Sequence, residues 1–365
     1  MKTSEALSKL PELLLRGKLA YNFDGIPLTA NKLSLKRKTN LLKAGFDEML
    51  KLNQLHGMPP IIHIEPTNIC NLKCPLCPTG SQTLKRSKGF MSTDTCKLVL
   101  NELGDTLMAV YFFSFGEPFM NKNLPEMIGS CTARGILTIT STNGHFFQTM
   151  DDALRIVDSG LTMMIIALDG STQSIYQSYR IGGDIEKVKR FATLIEKAKA
   201  RRNCGFPYTV ARCVVTNFNK DDLPNIEKLA VDLGVNMFAT KSLGCLVGTE
   251  KYEMYEPSEK QWKRFKYART SHRNKHALQC IFPFRQPYIF WDGTVVGCEY
   301  DHDLEMAFGR IGEQRFNDLW NSPSALALRN SIRKNTNRPS FCSSCPFEGK
   351  VRRGTELFCR ELRPL

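Results

Sequence analysis

From Pro60 to about residue 240, short runs rich in β-branched and aromatic residues alternate with segments of helical periodicity. That alternation predicts βα units around a parallel sheet, because strands buried on both faces need helical crossovers to cover them. The candidate strands are 61–65, 107–113, 136–141, 162–169, 208–215 and 235–240, and helices are expected near 93–103, 123–134, 149–159, 184–201 and 221–233. Ser92 or Thr93 and Asp221 suit N-caps, and Gly104, Gly135, Gly160 and Gly234 follow helix ends as C′ glycines do. Six such units in about 180 residues fall short of the eight units and roughly 250 residues of a closed barrel. The expectation is therefore an α/β fold with a partial, open-sided barrel, its functional groups on the loops at the C-terminal ends of the strands.

The flanks divide the rest of the chain. Residues 1–59 read as a basic helical extension, with segments near 4–16 and 39–55 whose amphipathic face is expected to pack on the barrel in preference to anchoring at a membrane surface. Residues 60–240 form the core, 241–279 a connector with a helix near 258–270, and 280–365 a cysteine-bearing tail. The longest apolar run near the N-terminus is Leu13 to Leu15, too short for a signal peptide, which predicts a cytoplasmic protein. The formal charge of +14 is spread along the chain and fits a solvated surface, so no nucleic-acid partner is expected.

Thirteen cysteines without an export signal, an odd number, argue for metal or redox chemistry over a disulfide framework. Cys70, Cys74 and Cys77 fall within EPTNICNLKCPLCPTG, directly after the first core strand. Cys280, Cys298, Cys342, Cys345 and Cys359 lie in the tail, while Cys96, Cys131, Cys204, Cys213 and Cys245 are scattered and suit buried small side chains. A cubane iron–sulfur cluster needs four ligands, and the spacing C-x3-C-x2-C supplies three with no fourth nearby. A zinc site pairing this loop with Cys342-x2-Cys345 is the alternative, although the triplet then has one cysteine too many.

In this setting the triplet resembles the signature of the radical S-adenosylmethionine (SAM) superfamily. The resemblance implies a partial (β/α)6 TIM-like barrel in which Cys70, Cys74 and Cys77 hold a [4Fe-4S] cluster whose fourth iron is left open for SAM. Gly116-Glu117-Pro118 is similar to the family's Gly-Gly-Glu motif, with Phe115 in place of the other glycine, and the family's motif receives the methionine amine of SAM. Thr142-Asn143-Gly144 matches a turn common in the family. Leu168-Asp169-Gly170 with Tyr179-Arg180 matches the loop that approaches the ribose and carboxylate of SAM, with Ala167 where relatives often have Ser.

The tail resembles the small SPASM or twitch domain of such enzymes. Its expected hairpin turns at Asp292-Gly293. The resemblance implies one auxiliary [4Fe-4S] cluster on Cys280, Cys298, Cys342 and Cys345, with Cys359 spare or an alternative ligand. Val351 and Thr355 stand where a full tail would have cysteines. Tyr288, Trp291, Glu299, Tyr300, Asp301 and His302 flank this site, and each suits a core or surface role at least as well as contact with substrate.

The implied activity is reductive cleavage of SAM to methionine and a 5′-deoxyadenosyl radical that abstracts hydrogen from a substrate, driven by a reductant such as flavodoxin or ferredoxin. A closed auxiliary cluster favours a net two-electron oxidation, read here as dehydrogenation of a small molecule or sugar. The alternatives are a radical SAM peptide-modifying maturase and, in another class, a non-catalytic iron–sulfur or zinc protein binding nucleic acid.

Overall fold

The computed structural model describes residues 11–23, 26–244, 249–263, 280–343 and 356–364. All six expected core strands form: β3 Ile61–Ile64, β4 Ala109–Phe112, β5 Leu137–Thr142, β6 Met163–Ala167, β7 Tyr208–Val215 and β8 Met237–Ser242. They pair parallel in chain order. Helices at Thr93–Leu103, Leu124–Thr132, Met150–Asp158, Ile185–Arg201 and Leu223–Asp232 join them.

The local signals act as chemistry requires. Ser92 accepts from the Thr95 amide at 3.0 Å, and Thr149 and Asp152 form a reciprocal capping box. Gly135, Gly160 and Gly234 take the left-handed conformation that ends a helix without steric cost. Gly104 instead stays right-handed, and the N-cap position of the last core helix falls on Asp222, not Asp221, because a short 3-10 turn at Lys220–Asp222 precedes it; the Asp222 carboxylate makes no capping bond and accepts from Ser171.

The sheet extends beyond the six strands at both edges. On one side β9 (Tyr288–Ile289) pairs parallel with β3, and β10 (Thr294–Val296) and β11 (Gly309–Arg310) follow antiparallel, so the expected tail hairpin grows from the barrel itself. On the other, β12 (Glu356–Glu361) pairs antiparallel with β8, a strand the sequence reading did not anticipate.

Alternate residues divide two cores, as a pleated strand requires. Ile62, Ile64, Val110, Phe112, Met164, Ile166 and Phe238 face the helices. Ile61, Ala109, Tyr111, Ile139, Met163, Ile165, Val210 and Ala239 face inward and meet Phe23, Ile26 and Ala30. Those three belong to a hairpin of β1 (Leu19–Phe23) and β2 (Ile26–Ala30), which plugs the barrel interior.

The N-terminal extension is thus not wholly helical. A helical turn at 11–16 precedes the hairpin, and helix α1 (Leu35–Met49) follows it, starting four residues before the expected segment at 39–55. In the connector a helix forms at Thr249–Tyr255; residues 258–263 are not helical, and the remainder of the helix expected near 258–270 lies outside the described residues. No helix among the described residues is long and apolar enough to cross a membrane.

Candidate active site

The cysteine loop leaves β3 at the C-terminal edge of the parallel strands. Cys74 is buried, and Cys70 and Cys77 are half-buried. Burial, with the nearby charges of Glu117, Cys74 and Cys77, pushes the Cys70 thiol up to about 12, and burial likewise raises Cys74 and Cys77. Thiols so placed resist ionisation until a cation compensates them. Three N–H donors aim at two of the sulfurs: the Leu72 amide reaches Cys70 Sγ at 3.4 Å, Asn143 Nδ2 reaches it at 3.8 Å, and Arg180 Nη1 reaches Cys74 Sγ at 3.7 Å.

The residues expected from the next three loops converge on this one. Gly116 has φ +81°, and a Cβ there would lie 2.3 Å from the Thr67 carbonyl oxygen, so the Gly-Glu-Pro turn presses on the loop leading to Cys70. The Glu117 amide donates to Ile69 O at 2.8 Å. Its carboxylate is buried and accepts from Thr142 Oγ1 at 2.7 Å, the Asn143 amide at 2.7 Å and the Phe119 amide at 3.1 Å. Burial lifts its pKa to about 7, with the hydrogen bonds of Asn143, Thr142 and Phe119 opposing. Glu117 therefore braces two loops, and Pro118 begins the 3-10 turn that Glu117 caps. Phe115 is buried with its ring 5.6 Å from that of His302 in the tail.

On the fourth loop Asp169 is fully buried, accepts from the Val214 amide at 2.6 Å and pairs with Arg180. The Asp169–Arg180–Cys74 chain links the end of β6 to the cysteine loop. Asn71, Asn219 and His145 were not foreseen. Asn71 Oδ1 accepts from Asn143 Nδ2 at 2.8 Å, Asn219 Nδ2 donates to Asp169 O at 2.9 Å, and His145 Nε2 accepts from the Asp184 amide at 2.8 Å. The adjacency of Asn71 to Cys70 and of His145 to Gly144 were the only signals available.

A buried ion pair of the barrel lies where the tail meets the cysteine loop. Glu65, at the end of β3, receives two hydrogen bonds from Arg86, at 3.0 and 2.7 Å, and both side chains are shielded from solvent. Arg86 also donates to His302 O at 2.6 Å and lies 3.7 Å from the Phe290 ring centroid. Trp291 Nε1 donates to Ser87 O at 3.2 Å, Tyr288 stacks on His63 at 4.0 Å, and Asp301 accepts from the Glu305 and Met306 amides. Arg86, Trp291 and Tyr288 thus join the tail to the barrel, while Asp301 braces the tail's own backbone.

Of the cysteines expected to hold the auxiliary cluster, Cys280, Cys298 and Cys342 border the helix-side core, and the Tyr300 amide donates to Cys298 Sγ at 3.4 Å. Cys345 lies outside the described residues. Cys359 sits on β12, at the opposite edge of the sheet from β10, and borders the inward-facing core. Among the described residues, no three Cys, His, Asp or Glu side chains surround a point suited to a single metal ion. What the first loop offers is an open set of three thiols with N–H donors to sulfur, a donor set that fits an iron–sulfur cluster with one position left for another ligand.

Two family models match, the radical SAM superfamily over residues 64–230 and an iron–sulfur cluster-binding domain, SPASM, over residues 280–346. The chain belongs to the radical SAM superfamily. More particularly, it is a radical SAM enzyme with a C-terminal SPASM domain, whose cofactors are a SAM-binding [4Fe-4S] cluster, SAM and auxiliary iron–sulfur. It is 29% identical over 177 residues to the PqqA peptide cyclase of Bradyrhizobium diazoefficiens, covering 48% of this chain and 44% of that one. It is 28% identical over 210 residues to the mycofactocin maturase MftC of Mycobacterium ulcerans, covering 56% and 54%. The chain thus spans about half the length of these curated relatives. Relatives named as haem synthases match over a similar share. Streptococcus suis SuiB bound to SAM shares the fold, with a TM-score of 0.61, 12% identity, and coverage of 93% of this chain and 87% of that one.

Proposed function

We propose that this enzyme modifies a peptide. The observation that carries the reading is the match to two relatives named for peptide cyclisation and maturation, one of them over more than half of this chain. The peptide reading takes precedence over dehydrogenation of a small molecule or sugar, for which neither of these two relatives speaks.

When bound, the cluster and SAM supply a 5′-deoxyadenosyl radical for hydrogen abstraction. Cys70, Cys74 and Cys77 would hold that cluster, and Arg180 and Asn143 would stabilise its sulfurs through N–H donation. Asp169 fixes Arg180, and Glu117 locks the loops after β4 and β5 together, so the site is rigid before ligands arrive. Gly116, Pro118, Thr142 and Asn143 form the wall against which SAM would lie. Cys280, Cys298, Cys342 and Cys345 would hold one auxiliary cluster, suited to accepting an electron in a net two-electron oxidation of the peptide.

The test is anaerobic reconstitution, followed by incubation with reductant, SAM and short peptides encoded beside the gene. Release of 5′-deoxyadenosine together with a peptide that has lost hydrogen, both absent in Cys74→Ala, is expected. If 5′-deoxyadenosine forms while every peptide keeps its mass, and a sugar or small alcohol supplied in a parallel incubation loses hydrogen instead, the peptide reading falls.

A further inference from the structure

Helix α1 is inside out. Its buried side chains are polar: Arg37 donates to the carbonyls of Gly135 and Gly104 at 3.1 Å and to that of Arg134 at 2.6 Å, Asn40 exchanges hydrogen bonds with Met58, and Asp47 accepts from the His56 and Gly57 amides. Apolar side chains stand among its outward ones. Leu35 is 79% exposed, Phe46 54% and Met49 60%, and Leu42 and Leu50 are exposed beside them. At 100° per residue, positions 35, 42, 46, 49 and 50 share one face. An ordinary surface helix buries such a face. The sequence reading expected the apolar face to pack on the barrel, and the structure reverses it because backbone carbonyls at helix ends, not apolar side chains, line the surface that α1 meets.

We propose that this ridge docks on an anionic lipid surface. The ridge runs roughly 22 Å along one helix. Lys32, Lys36, Lys38, Lys43 and Lys51 surround it. The carboxylates in this stretch are engaged: Asp47 is buried on His56, Glu48 meets Arg285, and nearby Asp105 holds Lys36. A second copy of the chain would therefore bring lysines against lysines. Leu14 and Leu15, in the helical turn whose Leu14 carbonyl accepts from Lys38 Nζ at 2.9 Å, are also exposed and widen the apolar surface. An apolar stripe edged by lysines is the pattern of a helix lying in a membrane interface.

The experiment uses the full reconstituted chain and vesicles of phosphatidylcholine with or without phosphatidylglycerol, scored by co-sedimentation. Binding is expected to require phosphatidylglycerol and to weaken with salt. Phe46→Ser with Met49→Ser is expected to lower partitioning roughly tenfold or more. Lys43→Glu with Lys51→Glu removes the dependence on anionic lipid and leaves SAM cleavage intact. The inference is overturned if the wild-type chain sediments with neither vesicle, if the serine variant binds as well as wild type, or if sedimentation velocity shows a dimer that the serine variant dissolves.

Discussion

Replacing Arg86 by Met tests whether one buried ion pair holds the SPASM tail against the barrel. The substitution removes two hydrogen bonds to Glu65, the bond to His302 O and the cation over Phe290, while a side chain of similar length keeps most of the volume. Glu65 is then left buried without its counter-charge, at a cost of about 3–5 kcal/mol. Scaled to 365 residues, the entropy of unfolding is about 0.8 kcal/mol per degree, so the melting temperature should fall by about 5 °C. The pH dependence carries a sign. Burial already raises the Glu65 pKa, with Arg86 opposing, so losing Arg86 raises it further. A carboxyl with a raised folded pKa binds its proton more tightly when folded, so the variant's deficit shrinks as pH falls toward the unfolded value and grows above it. Melting curves at pH 5.5 and 8 (roughly a unit above the unfolded carboxyl and well beyond it) read both effects. Glu65→Gln in the Arg86→Met background should recover much of the loss, because it removes the stranded charge. A loss below about 1 kcal/mol, or a deficit that deepens on acidification, would refute the reasoning.

Three further outcomes follow from the site. Gly116→Ala forces a positive φ on an L-residue and a Cβ onto Thr67 O, so it should cost about 3 kcal/mol and lower iron retention in gel-filtered protein. Asp169→Asn leaves Arg180 without its carboxylate, and a loss of about 3 kcal/mol by chemical denaturation is expected, with weaker SAM binding by equilibrium dialysis. Cys359→Ser should leave the iron count per chain unchanged, whereas Cys298→Ser should reduce it to that of the first cluster; equal losses in both would show that β12 contributes a ligand.

The strands, the five helices that join them and the cysteine triplet were legible because each depends on neighbours in sequence: side-chain alternation, helical periodicity, a capping oxygen three residues from an amide, a glycine free to turn left-handed. Ser92, Gly135 and Cys70-x3-Cys74-x2-Cys77 are of this kind. The Gly-Glu-Pro, Thr-Asn-Gly and Leu-Asp-Gly loops were legible as motifs, but their roles were not. Glu117 spends its oxygens on Thr142, Asn143 and Phe119, partners that only the curl of the sheet brings to it.

The sequence by itself determined which segments are strands and helices, that one loop carries three thiols, and that α1 has two unlike faces. Tertiary structure decided how those pieces meet: β12 closing on β8 across more than a hundred residues, the β1–β2 hairpin filling the barrel, Arg86 reaching Glu65 and the tail together, and Cys359 lying on β12 beside β8. It also decided that the polar face of α1 turns inward. Periodicity states that a helix has an apolar side, but the surface it meets selects the side, and a surface of unpaired carbonyls selects arginine and asparagine because burying such groups without partners is costly.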